Sequence, residues 1–179
     1  MKPIMPRTNI ARSTLTSVFI AVFLLCSSIS FANPIADFKM VGKAKLEVLF
    51  WDVYRSELYT PSGTFEAKIF PQALKIHYLR NIKSKDLIER TDEEWQKLGI
   101  SATQTAPWLE QLTAIWPDIK KGDELLLLVD QQHRSRFYFN NDIIGDIEDT
   151  DFGFNFLRIW LDEKSSYPDL QRQLIGENK

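Results

Sequence analysis

Hydrophobic and polar residues alternate through the first half of the chain with a period of two, the pattern of strands with one buried face. The alternation runs through residues 43–51 and continues through 52–59 to a turn at Pro61-Ser62-Gly63. It returns at residues 73–79, where Leu74, Ile76 and Tyr78 alternate with Lys75 and His77. These segments predict antiparallel strands, with His77 on the solvated face.

The period then changes to that of an α-helix. Residues 84–98 carry one apolar stripe at helical spacing, with Ser84 as a predicted N-cap and Gly99 as a stop. A second amphipathic segment begins at Pro107, which the first turn of a helix tolerates, and ends at Pro117. Two helices are therefore predicted in the middle of the chain.

Strand signals return at residues 124–130 and 136–140, and a turn at Asn140-Asn141-Asp142 leads into 143–147. Two further helices are predicted, at residues 150–161 and from Pro168 to Gly176. The order of strands, two helices, strands and two helices predicts an α+β domain. We expect a large antiparallel sheet with a layer of helices on one face.

The helix at residues 150–161 is apolar on two sides. Phe152, Phe156 and Trp160 fall on one side, and Phe154 and Leu157 fall nearly opposite at ~100° per residue. Two interpretations stay open. The helix lies between the sheet and the last helix, or one of its sides lines an internal apolar cavity.

The N-terminus has the parts of a cleavable signal peptide. A basic lead precedes an apolar run at residues 18–26, and Ser30 and Ala32 form a small-x-small cleavage site. The run is much shorter than the ~20 residues that span a bilayer. We therefore predict a signal peptide at residues 1–32, a domain at 33–179 without a membrane anchor, and a periplasmic or secreted location.

Cleavage would change the charge and the thiol content. The predicted signal peptide removes three of the 22 basic residues and none of the 24 acidic ones, so the net charge falls from −2 to −5. An acidic surface argues against nucleic acid as a partner. The only cysteine, Cys26, lies in the removed segment, so the mature domain must be held by its core without a disulfide.

The motifs of common catalytic and cofactor sites are absent from the sequence. The two histidines, His77 and His133, lie far apart without metal-ligand spacing. No GxSxG, P-loop or GxGxxG motif occurs. The sequence therefore predicts neither a metal nor a cofactor.

Four segments together carry a family resemblance. They are GKAKLEVLFWDVYRSELYTPSG at residues 42–63, FPQALKIHYLRNIKSKDLIERTDEEWQKLG at 70–99, WPDIKKGDELLLLVD at 116–130 and FYFNNDIIGDIEDTDFGFNFLRIWLDEKSSYPDLQRQLIGE at 137–177. In this order they resemble the chalcone isomerase-like domain of bacterial exported proteins, over nearly the whole predicted mature chain. The resemblance implies an open-faced β-sandwich.

The resemblance also implies where a catalytic site would lie. In the plant isomerases an arginine, a tyrosine and an asparagine stabilise the reacting phenolate and enolate. Their positions correspond here to Ala44 or Lys45, to Lys83 and to Arg90, and none of the three residues is kept. Lysine does not reproduce the planar fork of a guanidinium group. We therefore expect no catalytic residue, and an isomerase with rearranged residues is the alternative.

Relatives of this fold that bind fatty acids suggest a different function. An apolar acid would lie between sheet and helices, with its carboxylate near Lys45, Lys83 or Arg90 and beside Tyr54 and Tyr78. The alternative for Arg90 is a solvated surface position, because it lies on the flank of its helix's apolar stripe. An accessory protein that acts through protein contacts is the third interpretation. The five tryptophans are predicted to be core residues.

Overall fold

The structure, a computed structural model, describes residues 33–177, so the predicted signal peptide lies outside the described residues. The described part of the chain forms six strands and four helices. In order they are β1 (Lys39–Val48), β2 (Trp51–Thr60), β3 (Gln72–Tyr78), α1 (Ser84–Lys97), α2 (Ala102–Ile115), β4 (Glu124–Val129), β5 (Ser135–Phe139), β6 (Asp142–Ile147), α3 (Thr150–Leu161) and α4 (Pro168–Leu174). No helix within this range is long and apolar enough to cross a membrane.

The six strands form one antiparallel sheet in chain order, from β1 to β6. One row of paired residues crosses the whole sheet on its inner face, with a glycine at each end: Gly42, Leu58, Leu74, Leu127, Phe137 and Gly145. The four large side chains are at most 2 % exposed. The α+β class and the large antiparallel sheet predicted from the sequence are confirmed.

The two terminal glycines let helices approach the outer strands. A Cβ atom on Gly42 would lie 2.1 Å from the backbone oxygen of Gln173 in α4. A Cβ atom on Gly145 would lie 2.7 Å from the Ile115 side chain in α2. Any larger residue at these positions would therefore push α4 or α2 away from the sheet.

The helices cover this inner face and share one core with it. An aromatic cluster occupies the half of the core near β5, where Phe137 packs edge-on against Phe152, Phe156 and Trp116 with centroid distances of 5.7–6.0 Å. Edge-to-face packing of this kind stabilises aromatic pairs by about 0.5–1.5 kcal/mol beyond burial of their area. The cluster fixes α3 on the sheet.

The other face of the sheet is mostly open. Ile35, Ala73 and Leu126 form a small second cluster there, and Lys75 lies 3.7 Å from both Glu57 and Glu124. His77 is in register on β3 with Lys75, so it belongs to this polar face, as the alternation predicted.

Three boundaries differ from the sequence prediction. Residues 43–59 do not form one extended run, because Val48 pairs with Trp51 across a two-residue turn at Leu49 and Phe50. As a result Trp51 is 67 % exposed, whereas it was predicted to be a core residue. The other four tryptophans are buried, as expected.

The second helix begins before its predicted start. Ser101 is the N-cap of α2 and accepts a hydrogen bond from the backbone N–H of Gln104, so Pro107 lies inside the helix. In α1 the N-cap is Lys83, and Ser84 is the first helical residue. The backbone N–H of Ser84 donates to Asp118 at 3.0 Å, so a distant carboxylate caps the helix.

The two apolar sides of α3 have different neighbours. Phe156, Ile159 and Trp160 line an apolar cavity that is partly open to solvent, which agrees with the second of the two interpretations in that one side of the helix faces a cavity. On the opposite side, Phe154 lies against the segment between β2 and β3, with Lys68 Nζ 5.6 Å from its ring centroid. The last helix also contacts α3, because the Gln171 side chain donates to the Leu161 carbonyl.

Candidate functional site: an apolar cavity beneath α1

A cavity of about 510 Å³ lies between the inner face of the sheet and helices α1 and α3. This volume is within the ~300–1,000 Å³ that small-molecule pockets occupy. Most of its lining is apolar, including Leu46, Val48, Val53, Ile76, Ile82, Leu87, Leu125, Phe156 and Ile159. Its polar groups are few and come from α1, two strands and the segment before α4.

Strand alternation and helix periodicity together build the lining. Leu46 on β1, Tyr54 on β2 and Tyr78 on β3 face inward because alternate residues of a strand point to the same face. On α1 the lining residues are Asp86, Leu87, Arg90, Thr91 and Glu94, and the last four follow the i, i+3, i+4, i+7 spacing of one helix face.

Arg90 and Glu94 form the charged end of the cavity. The Arg90 guanidinium lies 2.5 Å from Glu94 and 2.8 Å from Glu93, and it donates to the Tyr167 hydroxyl at 3.1 Å. The Arg90 side chain is 44 % exposed, whereas that of Glu94 is only 5 % exposed. Arg90 therefore lies at the boundary between cavity and solvent, and the buried carboxylate lies behind it.

The Glu94 carboxylate has two further donors. Ser166 Oγ donates to it at 2.6 Å, and Lys97 Nζ lies 3.1 Å away. A buried carboxylate is costly unless its charge is paired and its oxygens accept hydrogen bonds. This network satisfies Glu94 and holds the segment before α4 against α1.

Two tyrosines form a second polar group inside the cavity. Tyr54 and Tyr78 are directly paired on β2 and β3, and their rings meet edge-on at 6.1 Å. The Tyr54 hydroxyl accepts a hydrogen bond from Trp160 Nε1 at 2.8 Å. Trp160 makes no such bond to Tyr78, and the buried Nε1–H of Trp116, which also lines the cavity, has no hydrogen-bond partner among the described residues. Burial raises the pKa of both phenols, so both stay protonated donors at neutral pH.

The structure brings together three of the five predicted ligand-binding residues. Tyr54, Tyr78 and Arg90 line the cavity. Lys45 does not, because it neighbours the inward-facing Leu46 on β1 and therefore lies on the opposite face of the sheet. There it pairs with Glu47, and with Asp52 at 3.0 Å, and hydrogen bonds to these carboxylates raise its pKa.

Lys83 also lies outside the cavity lining. Its side chain is 73 % exposed, and its Nζ pairs with Asp118 at 2.7 Å. The same carboxylate accepts a hydrogen bond from the backbone N–H of Ser84. The hydrogen bond to Asp118 raises the Lys83 pKa. This residue stabilises the start of α1, and the prediction that it lies at the cavity is corrected.

Sequence reasoning missed Glu94, Trp160 and Tyr167 as polar residues of the site. The helical spacing could have indicated Glu94, because it lies seven residues after Leu87 and four after Arg90, on the same face of α1. Tyr167 lies in an irregular segment 77 residues from Arg90, so periodicity gives no signal for it. Within residues 33–177 no group of three potential metal ligands occurs.

Comparisons with known proteins agree with this fold. A family model described as chalcone isomerase-like matches residues 28–176. A Haemophilus influenzae protein, described as uncharacterized, is 28 % identical over 163 residues, which cover 91 % of this chain and 78 % of that protein. The crystal structure of an Arabidopsis thaliana fatty-acid binding protein superposes with a TM-score of 0.64 at 12 % identity, covering 79 % of this chain and 88 % of the other. At this identity the likeness shows a shared fold.

Proposed function

The chain belongs to the chalcone isomerase-like family, and we propose that it binds a fatty acid or other apolar carboxylate in the cavity beneath α1, without catalysis. The observation that carries the proposal is an apolar cavity of about 510 Å³ whose few charged groups, Asp86, Arg90 and Glu94, all lie on α1, with the tyrosine pair opposite them on the sheet. Apolar walls with a small number of converging polar groups are typical of sites for elongated apolar ligands.

Binding in such a site needs both burial of the acyl chain and pairing of the carboxylate. Burial of an acyl chain contributes ~0.8 kcal/mol per CH₂ before the cost of immobilising the ligand. The carboxylate needs a cation, because an unpaired buried charge costs several kcal/mol. Arg90 supplies that cation if the ligand carboxylate takes the place of Glu93, whose exposed side chain pairs with the guanidinium at 2.8 Å. Glu94 keeps its bonds to Ser166 and Lys97 in this arrangement.

The absence of catalysis is proposed from the positions that the plant enzymes use. Lys45 lies on the other face of the sheet, and Lys83 is bound to Asp118. Arg90 occupies the position that corresponds to the asparagine. These residues do not supply a guanidinium, a phenol and an amide around one carbonyl group.

The test is binding of palmitic acid to the delipidated protein, measured by calorimetry beside its methyl ester. We expect saturable binding of the acid and at least tenfold weaker binding of the ester, a difference of ~1.4 kcal/mol. Arg90→Gln should remove this preference. Lys45→Gln is the matched control and should leave binding unchanged, because Lys45 lies outside the cavity lining.

A second variant tests whether the acyl chain of the ligand lies in the cavity. Leu87→Trp places a larger side chain in the cavity wall and should weaken binding of acid and ester alike. Absence of saturable binding to the wild type would refute the proposed function. Equal affinities for acid and ester would refute the role of Arg90 while leaving an apolar pocket.

Export is part of the same proposal. The signal peptide predicted at residues 1–32 supports release of the domain into the periplasm or the medium.

A further inference from the structure

The turn between β1 and β2 exposes three consecutive apolar residues, which we call the hairpin tip: Leu49, Phe50 and Trp51. Their exposed fractions are 86 %, 97 % and 67 %. Each of the other four tryptophans is at most 9 % exposed. The other tryptophans therefore lie in the core, whereas Phe50 and Trp51 are exposed side by side at one turn.

The fold does not require this composition. Leu49 has a φ of 59°, a left-handed conformation that glycine or asparagine adopts at lower energy. Two-residue hairpin turns favour such residues together with polar ones. Leu49 thus raises the energy of the turn, and both Leu49 and Phe50 bury little surface in return, so we look for their role outside the folding of the hairpin.

The hairpin tip adjoins the cavity. Val48 precedes the tip, Val53 follows it by two residues, and both line the cavity wall. Val48 is itself 41 % exposed, so apolar surface continues from the tip towards the lining. An apolar ligand that moves along this surface leaves a lipid phase and reaches the cavity without exposing its chain to water.

We propose that the hairpin tip inserts into an uncharged lipid surface and brings the cavity to the membrane from which its ligand comes. Leucine, phenylalanine and tryptophan are the residues that protein segments bury at the boundary of headgroups and acyl chains. The tip presents on the order of 500 Å², which is below the ~800 Å² per partner of a stable protein interface. A narrow projecting tip therefore suits a soft lipid phase better than a second copy of the chain.

The charges beside the tip favour a zwitterionic surface. Lys45, the basic residue nearest to it on β1, is paired with both Glu47 and Asp52. The domain without its predicted signal peptide carries a net charge of −5. Binding should therefore depend on apolar insertion, remain at high salt, and become no stronger when the lipids are anionic.

The experiment is cosedimentation of the domain with phosphatidylcholine vesicles, with and without added phosphatidylglycerol. The test variant is Leu49→Gly with Phe50→Ser, which suits the positive φ at the first turn position and keeps Trp51 as a reporter. We expect at least tenfold weaker partitioning of this variant, with thermal stability equal to or above that of the wild type, because glycine adopts the positive φ at lower energy. Ile69→Ser is the matched control, because Ile69 is also exposed, at 60 %, but lies away from the tip.

Tryptophan fluorescence gives a second measurement. Brominated phosphatidylcholine should quench part of the wild-type emission through Trp51 and leave the variant nearly unquenched. The proposal is overturned if the wild type does not sediment with vesicles, or if the double variant sediments equally well. It is also overturned if the wild type is a dimer in solution and the variant is a monomer, because the tip would then be an interface between copies of the chain.

The outcome is separable from that of the proposed function. In a vesicle-free solution the double variant should bind palmitic acid as tightly as the wild type, because the altered residues lie outside the cavity lining. Transfer of the acid from vesicles should be slower for the variant. If neither protein binds palmitic acid, the proposed ligand is refuted. Membrane docking is then judged from the sedimentation result alone.

Discussion

At the scale of single residues, the sequence could locate side chains that follow a periodic pattern and no others. Tyr54 and Tyr78 lie in the cavity because strand alternation places them on the inner face. The same rule places Lys45 on the face opposite the cavity, because neighbouring residues of a strand point to opposite faces. Tyr167 reaches Arg90 from an irregular segment, and its position depends on how the chain returns after α3. That return is a tertiary property without a local signal.

The tyrosine pair gives a prediction at this scale. Tyr54→Phe should lower the free energy of unfolding by about 1–2 kcal/mol, because it leaves the buried Nε1–H of Trp160 without an acceptor. Tyr78→Phe is the matched control across the strand pair and should be nearly neutral, because the Trp160 Nε1–H donates to Tyr54 and not to Tyr78. Urea denaturation measures both. Equal losses would show that the Trp160 hydrogen bond does not distinguish the two phenols.

At the scale of elements, prediction succeeded where turn chemistry was explicit. Asn140 and Asn141 both have positive φ between β5 and β6, which is the conformation that an Asn-Asn turn signals. The turn between β1 and β2 was missed because Leu49 and Phe50 carry no such signal. The start of α2 was misplaced because Pro107 resembles a first-turn proline, although the structure has it inside the helix.

Helix α3 gives a prediction at the scale of elements. Gly153 faces the sheet so closely that a Cβ atom would lie 2.6 Å from Ser135 Oγ and 2.8 Å from both methyl groups of Val129. Gly153→Ala should therefore lower the free energy of unfolding by about 1–3 kcal/mol. In an unconstrained helix the same change stabilises by ~1 kcal/mol. Denaturant unfolding shows whether the substitution lowers or raises the free energy of unfolding. A gain in stability would mean that α3 packs less closely on the sheet.

At the scale of the whole molecule, the aromatic residues divide the core into two halves. Phe137 and its aromatic neighbours fill the half near β5, whereas the half between β1–β3 and α1 contains the cavity. Composition predicts many buried aromatics, and periodicity predicts which face they share. Neither predicts which half stays unfilled, because a void depends on how the side-chain volumes of several elements add up. The fold is therefore predictable from the sequence, whereas the periodicity of α3 is compatible both with a cavity and with a helix covered on two sides.

Export gives the last prediction, and the thiol content provides its readout. The predicted cleavage after Ala32 leaves Asn33, whose side chain accepts a hydrogen bond from the backbone N–H of Ile35 at 3.2 Å. Ile35 is 6 % exposed and packs in the second cluster, so a cut beyond it would remove a buried contact. We expect a mature N-terminus at Asn33 in a Gram-negative host, measured by mass spectrometry of the intact protein. Because Cys26 is the only cysteine, a maleimide label should react with denatured precursor and not with mature protein. Recovery of a labelled full-length chain from the membrane fraction would contradict the predicted cleavage.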